Sequence, residues 1–161
     1  MHYIRDGFSD DHESSSGEED SKIVEIDEKE YKIIFSDTAG QDDFASVRDT
    51  YVAKGDGFII FYSVKSDDTI DIMKQDFDDI KKLDRYHNNV VVIANTLNLP
   101  KDEWQYSIKQ VSDLIKDWGL EAPIIEANIK TGDGIKKAFD ECIKRIIDSL
   151  NTNESGCCKI F

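Results

Sequence analysis

The sequence predicts an α/β fold, a mostly parallel sheet with helices on both faces. Runs of β-branched and aromatic residues alternate with segments whose apolar residues recur at helical spacing. Strands that alternate with helices in this way favour a parallel sheet covered on both faces. Asp37, Asn95 and Asn128 each follow a predicted strand closely, so the polar loops should meet at the edge formed by the strand carboxyl ends.

The first two strands should form a hairpin. Residues 22–27 alternate between apolar and polar, residues 27–30 are a polar turn, and Tyr31 to Ser36 is β-branched and aromatic. Three further strands are predicted at residues 58–63, 90–95 and 124–126.

Three helices are predicted between and after those strands. The first opens near Ser66 or Asp67, the second starts with Ser107 and Gln110 in capping-box spacing, and the third runs from Asp133 to about Ser149. Each helix has a stripe of apolar residues that we interpret as facing the core. The stripe is Ile70, Met73, Phe77 and Ile80 in the first helix, Ile108, Val111, Leu114, Ile115 and Trp118 in the second, and Ile135, Phe139, Cys142, Ile146 and Leu150 in the third.

The length and the charge of the chain limit how it can be divided into domains. Its 161 residues suit one domain, and its formal charge is −14, with eleven acids and three bases in the first 30 residues. We expect an acidic mobile segment over residues 1–21, a folded domain over 22–150 and a flexible tail over 151–161. An acidic surface excludes nucleic acid as the expected partner. The sequence contains no transmembrane stretch, secretory signal or disulfide pattern, so a cytosolic monomer is expected.

The strongest motif follows the second strand. Tyr31 to Ser36 leads into Asp37-Thr38-Ala39-Gly40-Gln41, and a further run includes Phe44, Arg48-Asp49, Tyr51 and Gly55-Asp56-Gly57-Phe58. Over residues 4–148 this pattern resembles the Ras-type small GTPases, specifically the Ras and Rap branch. The resemblance implies a Ras-like G domain that binds GTP or GDP with Mg²⁺ and contacts effector or regulator proteins through its switch segments.

The resemblance also implies roles for single residues in the phosphate half of the site. Asp37 would hold Mg²⁺ through its outer shell, Gly40 would meet the γ-phosphate beside Thr38 and Ala39, and Gln41 would orient the hydrolytic water. The family register places Ser15 at the Mg²⁺ position of the first switch and Phe8 against guanine. For Ser15 we favour an ordinary loop serine instead, and Phe8 could equally be a core residue at a helix end.

The base-recognition motifs are altered. The family's Asn-Lys-x-Asp is Asn95-Thr96-Leu97-Asn98 here, and its Ser-Ala-Lys is Asn128-Ile129-Lys130. In the family the Asp accepts two hydrogen bonds from guanine, whereas an amide at Asn98 accepts one and turns a donor toward the other. Guanine discrimination should therefore fall.

The phosphate-binding loop is absent from the sequence, since none of the nine glycines is followed by lysine. The family register puts Met1 inside the first helix, so we expect the first strand, the phosphate loop and most of that helix to be missing. The missing strand belongs between the strands at residues 31 and 58. Either the sheet closes over this gap, or the sequence is part of a longer protein. We predict very weak or no GTP binding and leave hydrolysis open.

The carboxyl end reads Cys157-Cys158-Lys159-Ile160-Phe161. Cys158 is fourth from the end of a prenylation box, and a terminal Phe favours a geranylgeranyl group. A single lipid gives only marginal membrane binding, so palmitoylation of Cys157 would be the second signal, although Cys157 could be an unmodified neighbour.

The leading hypothesis is a prenylated Ras-like signalling protein at the cytoplasmic face of a membrane, with the plasma membrane expected. The alternatives are a nucleotide-free, membrane-tethered protein-binding module and an unstable remnant.

Overall fold

The computed structural model of the protein describes residues 19–36, 52–83, 89–151 and 158–160. The described strands are β1 (Glu19–Ile26), β2 (Lys29–Ser36), β3 (Phe58–Ser63), β4 (Val90–Asn95), β5 (Ile124–Ala127) and β6 (Cys158–Ile160). The described α-helices are α1 (Asp68–Lys81), α2 (Ile108–Asp117) and α3 (Ile135–Asn151), and a 3-10 turn covers Lys101–Glu103. The α/β prediction is confirmed.

β1 and β2 form the predicted antiparallel hairpin, with Ile26 opposite Lys29. The connection is shorter than the predicted turn, because Asp27 and Glu28 alone form it, with φ values of 51° and 62°. A two-residue hairpin loop with both central residues at positive φ matches the twist of the strands. β1 also begins at Glu19, three residues before the predicted start.

The second sheet is parallel, in the order β3-β4-β5. All six residues of β4 are buried, as expected for a central strand covered on both faces. Val91 and Ile93 face the core formed with α3, while Val90, Val92 and Ala94 face the core formed with α1 and α2. Helices therefore cover both faces, as the sequence predicted.

The helices follow the predicted stripes. The buried residues of α1 are the four predicted ones, Ile70, Met73, Phe77 and Ile80. The N-terminus of α2 has the full capping box, in which the Ser107 side chain accepts from the Gln110 backbone N–H and the Gln110 side chain accepts from the Ser107 N–H. Val111 and Ile115 are buried in α2, whereas Ile108, Leu114 and Trp118 are partly buried.

One helix holds the two sheets together. The core beneath α3 contains Ile33 and Phe35 from β2 as well as Val91 and Ile93 from β4. The Phe35 and Phe139 rings lie 5.7 Å apart. Gly57 allows the close approach of α3 to β3, because a Cβ at this position would lie 2.6 Å from the Ile146 side chain.

The chain has a strand that the sequence did not predict. β6 pairs in parallel with β2, in a register that aligns Ile33 with Cys158 and Phe35 with Ile160. This gives the order β1-β2-β6 in the first sheet. A flexible tail was expected over residues 151–161, whereas Asn151 ends α3 and residues 158–160 form a strand.

Candidate functional site

The candidate nucleotide-base site consists of the two loops that follow β4 and β5. These strands are parallel neighbours, and their register pairs Asn95 with Ala127. Both loops therefore start side by side at the carboxyl edge of the sheet, where ligands of open α/β sheets bind. The structure brings together the predicted residues Asn95, Thr96, Asn98, Asn128 and Lys130 in these two loops.

Asn95 ties the two loops to each other. Its side chain is buried, and its Oδ1 accepts a hydrogen bond from the Ile129 backbone N–H at 3.4 Å. Thr96 adds a second link, because its backbone N–H donates to the Ala127 carbonyl oxygen at 2.9 Å and its hydroxyl to the same oxygen at 3.3 Å. The relative position of the loops is therefore set by the protein before any ligand binds.

Asn128 organises the second loop from within. Its buried side chain accepts from the backbone N–H groups of Lys130 at 2.9 Å and Thr131 at 3.3 Å. The Asp133 carboxylate accepts from the Thr131 hydroxyl at 2.7 Å. The Asn128 amide oxygen thus stabilises the loop, while the Lys130 side chain is exposed.

Asn98 lies at the tip of a tight turn in the first loop. The Leu99 backbone N–H donates to the Thr96 carbonyl oxygen at 2.8 Å, and the two residues between them, Leu97 and Asn98, have φ values of 51° and 59°. Asn tolerates this left-handed conformation, whereas Leu is strained in it. The turn leaves Asn98 exposed at the rim of the site.

Sequence reasoning missed the residues that support this rim. The Trp104 indole N–H donates to the Leu99 carbonyl oxygen at 3.1 Å, and the Lys101 ammonium lies 5.3 Å from the centre of the Trp104 ring. Lys101 also pairs with Glu126 at 3.0 Å, which links the connection after β4 to β5. Lys-Asp-Glu-Trp is an unremarkable polar run in the sequence, so no signal there pointed to these contacts.

Two hydroxyls are buried outside these loops, that of Ser36 at the end of β2 and that of Tyr62 in β3. Within the described part of the chain, neither Ser36 Oγ nor Tyr62 Oη has a hydrogen-bond partner. Burial, followed by the negative charge of Glu126, raises the pKa of Tyr62 well above its usual value.

The predicted phosphate, metal and hydrolysis residues lie outside the described residues. They are Phe8, Ser15, Asp37, Thr38, Ala39, Gly40 and Gln41, and Cys157 lies outside as well. Among the residues that the structure does describe, no cluster of three His, Cys, Asp or Glu side chains could hold a metal ion. No helix in this part of the chain has the length and apolar character needed to cross a bilayer.

Comparison with known proteins gives the family. The sequence profile of the Ras family matches residues 1–148, which is most of the chain. The chain belongs to the Ras family. This agrees with the parallel sheet and its flanking helices, which are those expected of a Ras-like G domain.

The relatives of this Ras-family chain are distant. Ras-like protein 1 of Saccharomyces cerevisiae is 30% identical over 149 residues, which is 92% of this chain and 47% of that protein. Ras-like protein rasC of Dictyostelium discoideum is 30% identical over 78% of this chain and 66% of its own length. Ras-related protein O-RAL of Diplobatis ommata is 25% identical over 91% of this chain and 70% of its own. Because Ras-like and Ral relatives match comparably, the finer Ras and Rap branch stays a prediction.

The family resemblance would set a guanine base against these two loops. Asn95 and Thr96 hold the loops side by side, and the exposed Asn98 carries an amide where the family motif has a carboxylate. Two carboxylates of this region are already bonded, Asp133 to the Thr131 hydroxyl and Glu126 of β5 to Lys101.

Proposed function

We propose that this Ras-family chain is a membrane-anchored signalling protein that binds guanine nucleotides weakly. One observation carries the proposal: the two base-side loops are tied together by Asn95, yet the exposed residue at the guanine position is the amide Asn98. The tied loops support a nucleotide site, and the amide at Asn98 supports weak selection of guanine. Effector or regulator proteins are the expected partners, through the switch-like segments.

By resemblance, the nucleotide would be GTP or GDP with Mg²⁺. Asp37 and Ser15 would serve the metal ion, Gly40 the γ-phosphate and Gln41 the hydrolytic water. Phe8, Asn95, Asn98 and Lys130 would contact the base. Each charge-assisted hydrogen bond that is lost costs about 1.5–3 kcal/mol, or tenfold to a hundredfold in affinity, so weak binding and slow hydrolysis are expected.

A titration with fluorescent GTP and Mg²⁺ tests the nucleotide part. We expect a dissociation constant well above micromolar, with little preference for guanine over adenine nucleotides, which serve as the control. Submicromolar, guanine-selective binding would contradict the proposal.

The lipid part is tested on Cys158. We expect the mature protein to carry one geranylgeranyl thioether on Cys158, and Cys158→Ser to move it from the membrane fraction to the soluble fraction of cells. Cys157→Ser is the matched control, since it removes a palmitoylation site and leaves the box intact. The mass of the mature protein also shows whether Phe161 is its last residue. Membrane association of the Cys158→Ser variant would point to another anchor.

A second candidate is a nucleotide-free protein-binding module that keeps the fold and the anchor. The amide at Asn98, in place of the family's carboxylate, favours it. Its partners would bind the acidic segment or the surface formed by residues 44–51. Limited proteolysis of residues 37–54 with and without GTP separates the two candidates, because a switch becomes ordered when the γ-phosphate binds. Identical cleavage in both conditions would favour the module.

A further inference from the structure

The carboxyl-terminal segment is built into the sheet. β6 pairs with β2 through three registered positions on the side of β2 away from β1, and α3 packs against both β6 and β3. The segment therefore lies on the inner side of the hairpin, toward the second sheet. Family resemblance puts the first strand of the G domain in this position, and here the last described residues of the chain occupy it.

The topology allows this arrangement without strain. α3 follows β5 and returns the chain to the amino ends of the parallel strands, which is where a strand parallel to β2 has to begin. Six residues, 152–157, join the end of α3 to Cys158, which is within the usual length of a connection between a helix and a strand.

The surroundings favour an apolar occupant. Ile33 and Phe35, which align with Cys158 and Ile160, belong to the core beneath α3. On the neighbouring sheet Ile59 packs against the same core, and Phe61, two residues further along β3, is 46% exposed. Within the described residues β3 pairs on one side only, with β4. An apolar sheet edge that is left open tends to take up an extended segment.

The docked segment is short, which favours reversible pairing with β2. A strand of three residues is at the lower limit of strand length, so its pairing contributes little free energy. Weak pairing allows exchange with an undocked state. Lipid attachment needs that undocked state, because a prenyltransferase reads the last four residues, and the same backbone cannot pair with β2 at the same time.

We propose that residues 158–160 exchange between two exclusive states, a strand docked beside β2 and a released end open to lipid attachment, so that docking keeps the unmodified protein off the membrane. The membrane consequence rests on the lipidation proposed above, while the docking itself does not. In the released state the Cys158 thiolate would attack C1 of geranylgeranyl diphosphate. A carbon–sulfur bond forms, diphosphate leaves with the electrons of the carbon–oxygen bond, and the thiol proton passes to solvent.

Disulfide trapping in the full chain tests docking. Ile34→Cys and Lys159→Cys, introduced together in a Cys157→Ser, Cys158→Ser background, place two thiols at registered positions of β2 and β6. The matched control pairs Lys32→Cys with Lys159→Cys, two residues out of register. We expect a cross-linked monomer that forms at least about tenfold faster in the first pair than in the control. Equal rates, or a cross-linked dimer, would overturn self-docking.

The exclusivity is tested by lipid transfer. The Ile34→Cys/Lys159→Cys bridge is formed in a Cys157→Ser protein that keeps Cys158, and geranylgeranyl transfer by the purified transferase is followed before and after reduction. A free peptide of residues 152–161 is the reference substrate. We expect no transfer to the bridged protein, intermediate transfer to the Cys157→Ser protein without the bridge, and the fastest transfer to the peptide.

The outcomes separate the two proposals. Equal transfer to the bridged and reduced proteins would overturn the exclusivity. If neither the peptide nor the proteins accept lipid while the registered cross-link still forms, lipidation fails and docking stands; the gating of membrane attachment is then overturned as well.

Discussion

At the scale of single residues, the proposed base selectivity depends on Asn98. The turn from Thr96 to Leu99 holds this residue exposed at the rim of the two loops. An amide there offers one donor and one acceptor, while guanine offers two donors along the same edge. Asn and Asp side chains differ only in an amide nitrogen in place of a carboxylate oxygen, so a single substitution can restore the carboxylate.

We predict that Asn98→Asp strengthens guanine-nucleotide binding about tenfold, which corresponds to one charge-assisted hydrogen bond. Asn98→Ala is the matched control and should show no gain. The measurement is titration with fluorescent GDP and, in parallel, a fluorescent adenine nucleotide. An equal gain for both bases would mean that the new carboxylate does not contact the guanine edge.

The buried thiol of Cys142 is a second residue with a measurable effect. Its Sγ lies 3.8 Å from the carbonyl oxygens of Phe58 and Asn89, and burial raises its pKa from 9.0 to about 12. A group whose folded pKa is raised contributes stability that is complete below the unfolded pKa. That stability is lost as pH rises from 9 toward 12, because the unfolded chain ionises first.

We therefore predict that the free energy of unfolding falls above pH 9, with a contribution from Cys142 of up to about 1.4 kcal/mol per pH unit. Cys142→Ser keeps a hydroxyl donor for the same carbonyls and does not titrate, so its pH dependence should be flatter. Tyr62 also has a raised pKa and adds to the slope at higher pH, so Tyr62→Phe serves as the comparison. Denaturant unfolding at pH 8 to 10.5 measures this, and identical slopes for Cys142→Ser and the parent would contradict it.

At the scale of elements, the loop between β5 and α3 depends on one glycine. Gly134 has a φ of 77°, and a Cβ at this position would lie 2.3 Å from the Glu126 carbonyl oxygen. The helix can therefore start close to the end of β5 only because this residue has no side chain. The same close packing sets the second base loop against the strand that carries it.

Gly134→Ala should lower the free energy of unfolding by at least about 2 kcal/mol, from the combined backbone strain and steric clash. Gly119→Ala is the matched control, since its φ is 76° but the nearest atom to its Cβ is the flexible Lys81 Nζ at 4.0 Å. It should cost about 1 kcal/mol, from the left-handed backbone alone. Urea unfolding of both variants provides the measurement, and equal losses would show that the contact with Glu126 relaxes freely.

At the scale of the whole molecule, charge is the dominant feature. The chain carries a formal charge of −14, and its described ion pairs include exposed ones such as Lys74 with Asp78 and Lys109 with Asp113. Lys74 lowers the pKa of the exposed Asp78 by hydrogen bonding. Exposed pairs of this kind contribute little to stability, whereas like-charge repulsion acts over the entire surface.

Added salt should therefore stabilise the protein. We predict that the midpoint of thermal unfolding rises between 20 and 200 mM NaCl, as the screening length falls to roughly 10 Å and below. The double variant Asp117→Lys/Glu121→Lys gains two positive charges at each position, which moves the net charge from −14 to −10. Its thermal midpoint should therefore rise less with salt. A midpoint that falls with salt, in either protein, would show that attractive pairs dominate.

The amino-acid sequence determined the family and, apart from β6 and the short 3-10 turn, the elements. The helical stripes, the Ser107 capping box and the β3 and β4 boundaries followed from periodicity and capping chemistry, which are local properties of the chain. The same local patterns placed Asn95 and Asn128 at strand ends, and the structure brings the loops that follow these strands together. They could not show that Trp104 bonds the Leu99 carbonyl oxygen or that Lys101 pairs with Glu126 of β5, since these contacts depend on how the chain folds back on itself.

Only the tertiary structure decided how the two sheets are joined and what lies beside β2. The sequence around Cys158 to Ile160 predicts the end of a flexible tail. A strand of three residues is too short to show a detectable alternation of apolar and polar residues. Its pairing with β2 and its contact with α3 bring together segments that are far apart in the sequence. Backbone pairing between distant segments depends on an edge being open, and a linear sequence does not contain that information.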